Sequence, residues 1–120
     1  MSAQRDDWVY VRHIRDAARR IESYVDGVAE ADFFEATLVQ DGVIRQLQVI
    51  GEAAKRLSSE FRSKAAQVPW SDITGMRDKL VHDYMGVDLE AVWDTAIRDV
   101  PALLSQLEAL DWPDEGSNSA

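Results

Sequence analysis

Apolar residues recur at steps of three and four along most of the chain, which is the spacing that places them on one face of an α-helix. One such segment runs from Asp6 to about Val25, and a second runs from about Asp41 to Phe61. A third runs from Asp88 to Leu110, with Asp88 as the candidate N-cap. Pro101 lies inside this third segment and should kink or divide it, because proline has no backbone N–H to donate.

The connections between these segments carry their own signals. Asp26 and Gly27 form a plausible helix stop, and the stretch around Phe33 and Phe34 predicts a short helical turn before the chain reverses. Pro69 disfavours helix at the residue before it, and a short helical piece can restart over Trp70–Thr74. No stretch has the apolar-polar alternation that is typical of a strand.

The pattern therefore predicts an all-α fold, an up-and-down bundle of four to five helices. Residues 1–110 form the predicted helical domain. Residues 111–120 are small, polar and contain proline and glycine, which predicts a disordered tail.

Composition and charge narrow the classes of function. A chain of 120 residues with 46% apolar content has the size of one domain that can bury its own core. The absence of cysteine excludes disulfides, thiolate metal sites and cysteine nucleophiles. The start lacks the pattern of a signal peptide and no window approaches a membrane span, so we expect a soluble, cytoplasmic protein without a membrane partner. The net charge of −9 argues against broad binding of nucleic acid, and we expect no DNA partner. RNA would have to be contacted locally, or by an assembly.

The stretch RDKLVHDYMGVD, residues 77–88, holds the residues with the most specific chemistry. In an ideal helix Arg77 and Tyr84 share a face, whereas His82 lies about 140° around the axis from Arg77. The three side chains therefore cannot converge on an unbroken helix. Either the helix ends near His82, which Gly86 favours, or Arg77 and His82 act with their copies from a second chain. The two arrangements are compatible with each other.

An arginine and a histidine together suit metal-free cleavage of a phosphodiester. The arginine fork binds a phosphate and neutralises its charge, and an imidazole exchanges protons near neutral pH. His82 could act on a ribose hydroxyl or on the leaving oxygen, while Arg77 stabilises the crowded phosphorane. Because such chemistry uses the 2′-hydroxyl, RNA is the natural substrate. No carboxylate cluster has metal-ligand spacing, so the sequence predicts neither a metal nor another cofactor.

The segment PWSDITGMRDKLVHDYMGVDLEAVW resembles the HEPN superfamily, and within it the HepT-like toxins that carry an R-x4-H-x-Y motif. The earlier IGEAAKRLSSEF, residues 50–61, also resembles the second helix of that family. The resemblance extends from roughly Trp8 to Leu110. One position departs from the pattern, since many relatives have Asn directly after the arginine where this chain has Asp78.

The resemblance implies a homodimeric, metal-independent endoribonuclease that acts as the toxin of a type VII-like toxin–antitoxin pair. On this chain Arg77 and His82 would be catalytic, with Asp78 as the polar residue that assists them. The resemblance gives Tyr84 another role: a small, MntA-like nucleotidyltransferase antitoxin would attach AMP to it and block the site. Arg77 could bind the anionic product.

Two other classes of function stay open. One is a non-catalytic HEPN module that binds a nucleotide or a partner nucleotidyltransferase, and the other is a purely structural helical adaptor.

Two groups of basic residues also have two interpretations: they line a cleft beside the motif in a dimer, or they are ordinary solvated faces. His13 is interpreted as a surface or half-buried residue, and the tryptophans as core or interface groups rather than base-stacking platforms. The basic groups are Arg12, Arg15, Arg19 and Arg20 on the first helix, and Lys55, Arg56, Arg62 and Lys64 near the end of the second.

Overall fold

Helices make up most of the structure, a computed structural model that describes residues 3–76, 78, 81–83 and 86–113, with side chains for 6–76, 78 and 86–113. The predicted all-α bundle is confirmed, with one two-stranded hairpin added to it. No helix of the described part is long and apolar enough to cross a membrane. The elements in chain order are α1 (Ala3–Val25), α2 (Glu30–Phe33), α3 (Thr37–Lys55), α4 (Ser59–Lys64), α5 (Trp70–Thr74), β1 (Val81–Asp83), β2 (Gly86–Val87), α6 (Leu89–Asp94), a π-helical segment (Thr95–Asp99) and α7 (Val100–Glu108).

The core lies between α1 and α3, with α7 packed on α1 and α5 packed on α3. Each long helix gives the core the apolar stripe that its sequence predicts, because burying that stripe is the main favourable term in folding. Fully buried side chains include Val11, Ile14, Ile21, Phe33, Val43, Leu47, Ile50, Val92, Leu103 and Leu107.

The first helix ends where the sequence predicts. The last residue of α1 is Val25, and Gly27 follows with φ of 75°, a left-handed conformation that glycine adopts without strain. The short helical turn predicted near Phe33 is α2, and the fully buried ring of Phe33 fixes it to the core.

The second predicted helix is wrong in one respect, because the segment from Asp41 to Phe61 is not a single helix. Helix α3 ends at Lys55, and α4 begins after Ser58, whose side chain accepts a hydrogen bond from the N–H of Phe61. Ser58 also donates two hydrogen bonds to the buried carboxylate of Asp7 on α1, from its N–H at 2.8 Å and from its Oγ at 2.7 Å. These contacts with a distant residue stabilise a break that the local apolar spacing does not reveal.

The break leaves carbonyl groups at the end of α3 without helical partners. The guanidinium of Arg62 on α4 donates to two of them, at 2.9 Å to Ala54 and 3.3 Å to Lys55. Arg62 therefore links α4 to the C-terminal end of α3 and stabilises the corner between them.

The last helix begins at the predicted cap and continues past Pro101. The carboxylate of Asp88 accepts a hydrogen bond from the N–H of Ala91 at 3.1 Å. Directly before α7, in which Pro101 takes the second position, the helix widens into the π-helical segment. Pro101 cannot donate the bond that the carbonyl four residues earlier would accept in an α-helix. The proline thus changes the hydrogen-bonding pattern but does not end the helix.

The boundary after residue 110 stays a prediction, and residues 114–120 lie outside the described part. At the start of the predicted tail, the half-buried ring of Trp112 packs against the ring of Trp8 at a tilt of 44°, with ring centroids 4.9 Å apart. Its Nε1 donates to the carbonyl of Leu107 at 2.7 Å. At least this part of the segment packs against the bundle.

Candidate functional site

The upstream side of the R-x4-H-x-Y motif is fixed by helix α5. Trp70 is buried, and its Nε1 donates to the carbonyl of Ala65 at 2.9 Å. Ile73 and Met76 are buried as well, so the chain is held in the core up to the residue before the motif arginine. The Pro-Trp lead-in that marks the motif in the sequence therefore works as its structural support.

The downstream side is fixed by the start of the last helix. Asp88 caps α6, and one turn later Val92 and Trp93 enter the core. The ring of Trp93 packs against Phe33, with centroids 5.0 Å apart. The motif therefore lies between two anchored helices.

Between these two helices the described backbone is helical at Asp78 and is a strand from Val81. The N–H of Asp78 donates to the carbonyl of Gly75 at 3.0 Å, and Asp78 is exposed. The chain is extended over Val81–Asp83, which pairs antiparallel with Gly86–Val87. Of the two arrangements that the sequence leaves open, an end of the helix near His82 is confirmed for the backbone.

A β-bulge occurs at His82. Val81 pairs with Val87 and Asp83 pairs with Gly86, so two steps on β1 match one step on β2 and His82 is the extra residue. Bulges of this kind redirect a side chain and are common next to active sites. No strand pattern predicted this hairpin, because strands of three and two residues are too short to establish an alternation.

The predicted site residues are only partly described. Arg77 and Tyr84 lie outside the described residues, and of His82 only the backbone is described. The convergence of Arg77 with His82, the modification of Tyr84 and the assistance by Asp78 therefore stay predictions. Among the side chains that are described, no group of three or more His, Asp or Glu is placed to hold a metal ion.

Several of the basic residues have structural contacts within the chain. Arg15 lies 3.5 Å from the carboxylate of Asp16, and its guanidinium carbon lies 4.7 Å from the centroid of the Trp112 ring. Lys64 pairs with Glu60 at 3.4 Å. Together with Arg62 at the corner of α3 and α4, these residues fit the interpretation as ordinary structural and solvated cations.

The tryptophans and His13 also fit their predicted interpretation. Trp8 meets Phe61 edge to face at 5.2 Å, and Trp70 and Trp93 are buried in the core. His13 is exposed, and its ring contacts the ring of Tyr10 with centroids 6.1 Å apart.

Comparison with known proteins gives one consistent family. A family model described as "Ribonuclease HepT-like" matches residues 14–110, which include the whole motif. A probable ribonuclease HepT of Thermococcus cleftensis is 37% identical over 84% of this chain and 92% of its own length. A protein of Caldanaerobacter subterraneus subsp. tengcongensis, provisionally named an RNase, is 38% identical over 84% of this chain and 90% of its own length.

A longer relative comes from Methanocaldococcus jannaschii, and its name joins gamma-glutamylcyclotransferase with a provisional RNase. It is 38% identical over 97% of this chain, which spans about half, 53%, of the length of that relative. No solved structure matches the chain.

Proposed function

This chain belongs to the HepT-like ribonuclease family, and from that membership we propose that it is a metal-independent endoribonuclease whose reaction is carried by Arg77 and His82. The observation that carries the proposal is the family match over residues 14–110 together with an intact R-x4-H-x-Y motif inside it. The relatives named as ribonucleases support RNA as the substrate.

The chemistry follows from the two motif side chains. His82 takes the proton of a ribose 2′-hydroxyl, the 2′-oxygen attacks the adjacent phosphorus, and the bond to the 5′-oxygen breaks with a proton delivered to that oxygen. Arg77 donates hydrogen bonds to the phosphate oxygens as negative charge builds up in the phosphorane. The expected products are a 2′,3′-cyclic phosphate and a free 5′-hydroxyl.

The local fold supports this assignment of roles. Buried side chains hold the chain on both sides of the motif, and the bulge at His82 interrupts the regular pairing of β1. Anchored flanks shorten the segment that has to be ordered at each turnover, which lowers the entropy cost of placing a catalytic histidine.

A second copy of the chain completes the proposed site. General acid–base cleavage uses one base and one acid, and each chain offers a single motif histidine. A homodimer with the two motifs facing each other supplies both groups, and an isologous interface brings equivalent residues together. Asp78, which is exposed within the motif, would orient one of them.

The proposal extends to regulation by a nucleotidyltransferase antitoxin. The phenol oxygen of Tyr84 attacks the α-phosphorus of ATP, a phosphodiester to AMP forms, and pyrophosphate leaves. The bound AMP would occupy the phosphate site of Arg77 and exclude RNA. In this scheme the chain is the toxin, and the transferase that modifies it is its antitoxin.

The ribonuclease proposal is tested with the unmodified chain, RNA and a chelator. We expect cleavage by the parent chain and a loss of at least 100-fold in both His82→Ala and Arg77→Ala, in line with the usual contribution of general acid–base catalysis. Asp78→Asn, which restores the residue that many relatives have, should retain activity. No cleavage by the unmodified dimer would reject the enzyme and favour the non-catalytic module.

The modification is tested separately by intact-mass measurement after co-expression with a nucleotidyltransferase encoded beside the chain. The expected result is a mass increase that corresponds to AMP and is lost in Tyr84→Phe. An increase that survives in Tyr84→Phe would reject this tyrosine as the acceptor.

A further inference from the structure

A groove on the outer face of α1 and α3 is lined by two arginines and a histidine, although the chain as a whole is strongly acidic. Its volume is about 210 Å³, and it is lined by Tyr10 and His13 of α1, by Arg45, Gln48 and Glu52 of α3, and by Arg56, the C-cap of α3. We call it the α1–α3 groove. The net charge of the chain is −9, so the charge of this groove is opposite in sign to that of the chain as a whole.

The two arginines are available to a ligand. Both are exposed, and neither forms an ion pair or a side-chain hydrogen bond with any part of the chain that the structure describes. In contrast, the guanidinium groups of Arg15 and Arg62 have an acidic or carbonyl partner. An arginine without a partner can bind a phosphate without first breaking an internal contact.

The spacing of the groove residues fits an extended polyanion. Arg45, Gln48, Glu52 and the C-cap residue Arg56 follow one another by three or four residues, so they lie on one face of α3 and its end. Arg45 and Arg56 are eleven residues apart, which corresponds to about 16 Å along the helix axis. A strand that follows the groove can therefore meet one arginine near each end.

Tyr10 and His13 add a surface for bases. The two rings meet edge to face, with an interplanar angle of 85°, and the His13 ring is exposed. Aromatic rings beside cations are the usual combination in sites that bind single-stranded nucleic acid. Glu52 is the one acidic residue of the lining, and it leaves the groove with a positive balance.

From these observations we propose that the α1–α3 groove binds the backbone of a single-stranded RNA, with Arg45 and Arg56 on its phosphates and His13 against a base. This inference rests on the proposed ribonuclease function and gives that enzyme a substrate-binding surface outside its motif. Helix α3 also packs against α5, which leads into the motif, so one helix connects the two sites.

Binding is measured by fluorescence anisotropy with a fluorescein-labelled oligouridylate of about 12 nucleotides. The parent is the full chain with His82→Ala, which prevents cleavage during the titration. Because binding is read without turnover, the test remains valid if the ribonuclease proposal fails. The groove variant is Arg45→Gln with Arg56→Gln.

The expected result is a loss of affinity of about 25-fold at 0.1 M salt, since each phosphate contact to a single strand is worth about fivefold there. The slope of log K against log salt should fall by about 1.4 for two lost contacts. Arg45→Lys with Arg56→Lys keeps both charges and should retain most of the affinity and the slope.

The matched control is Arg19→Gln with Arg98→Gln, which removes the same charge from two exposed arginines outside the groove. We expect a change of less than about threefold for this control. Equal losses in the two double variants would assign the effect to net charge and overturn the proposal, and so would unchanged binding by the groove variant. A change of oligomeric state in the groove variant alone would make this face a contact between copies, which also overturns it.

Discussion

Asp7 is the residue whose replacement tests the structure most sharply. It is buried, with 2% of its surface exposed, and its carboxylate accepts hydrogen bonds from both the N–H and the Oγ of Ser58. Ser58 in turn caps α4 by accepting from the N–H of Phe61. This contact joins the start of α1 to Ser58, which lies in the corner between the end of α3 and the start of α4.

The loss of stability expected for Asp7→Ala follows from these two hydrogen bonds. Asp7→Ala removes two bonds to an ionised acceptor, each worth about 1.5–3 kcal/mol, and leaves the N–H of Ser58 without its partner. Part of this loss is offset because a carboxylate no longer has to be desolvated. We therefore expect the free energy of unfolding to fall by about 3 kcal/mol, which lowers Tm by roughly 12 °C in a domain of this size.

Urea unfolding followed by circular dichroism measures the change, and Asp6→Ala is the control. Asp6 is the exposed neighbour on the same helix, and its removal should change stability by less than about 0.5 kcal/mol. A double-mutant cycle with Ser58→Ala should give a coupling of at least about 1 kcal/mol. If Asp7→Ala were as stable as the parent, or if Asp6→Ala cost as much, the reasoning about this buried contact would be refuted.

Three further predictions concern the corner, a turn and the core. Arg62→Met removes the donor to two α3 carbonyls and should cost about 1–2 kcal/mol in urea unfolding; Lys64→Met, which breaks only an exposed pair, should cost less than about 0.5 kcal/mol, and equal costs would refute the role of Arg62. Gly27→Ala should cost about 1 kcal/mol because φ is 75°, a left-handed conformation that strains alanine; no atom lies within 4 Å of the added Cβ, so no clash adds to this cost. Gly75→Ala, at a right-handed helical position, should be neutral or stabilising, and the reverse order in thermal unfolding would contradict the two backbone assignments. Phe33→Ala should cost about 3–5 kcal/mol, and a cost below about 1 kcal/mol would show that its fully buried ring does not anchor α2.

The sequence was sufficient for the elements that local spacing and caps determine. The end of α1 at Val25, the stop at Gly27, the short helix at Trp70–Thr74 and the cap at Asp88 all depend on residues close together in the chain, whereas α1 begins at Ala3, three residues before the predicted start. Local propensity and burial agree at these positions, so the pattern alone identifies the structure.

The sequence was insufficient where a distant contact decides the local structure. The break between α3 and α4 depends on Asp7, which is 51 residues from Ser58, and the apolar stripe continues across it. The hairpin that carries His82 depends on pairing between two very short strands rather than on alternation.

The α1–α3 groove needed the structure for another reason. The polar stripe of Arg45, Gln48, Glu52 and Arg56 is visible in the sequence, but it is an ordinary pattern for a solvated helix face. Only the packing of α1 beside α3 brings His13 next to it. The R-x4-H-x-Y motif differs from this groove because its arginine and histidine indicate phosphodiester chemistry from the sequence alone.

The central claim, that the chain cleaves RNA through the 2′-hydroxyl without a metal ion, is tested most directly by one altered substrate. After the cleavage position in an oligoribonucleotide has been mapped, a single 2′-deoxy nucleotide is placed on the 5′ side of the scissile phosphate, and the reaction is run in a chelator. The account predicts a 2′,3′-cyclic phosphate from the unaltered RNA and no cleavage of the deoxy-substituted bond. Continued cleavage at the deoxy position would contradict it.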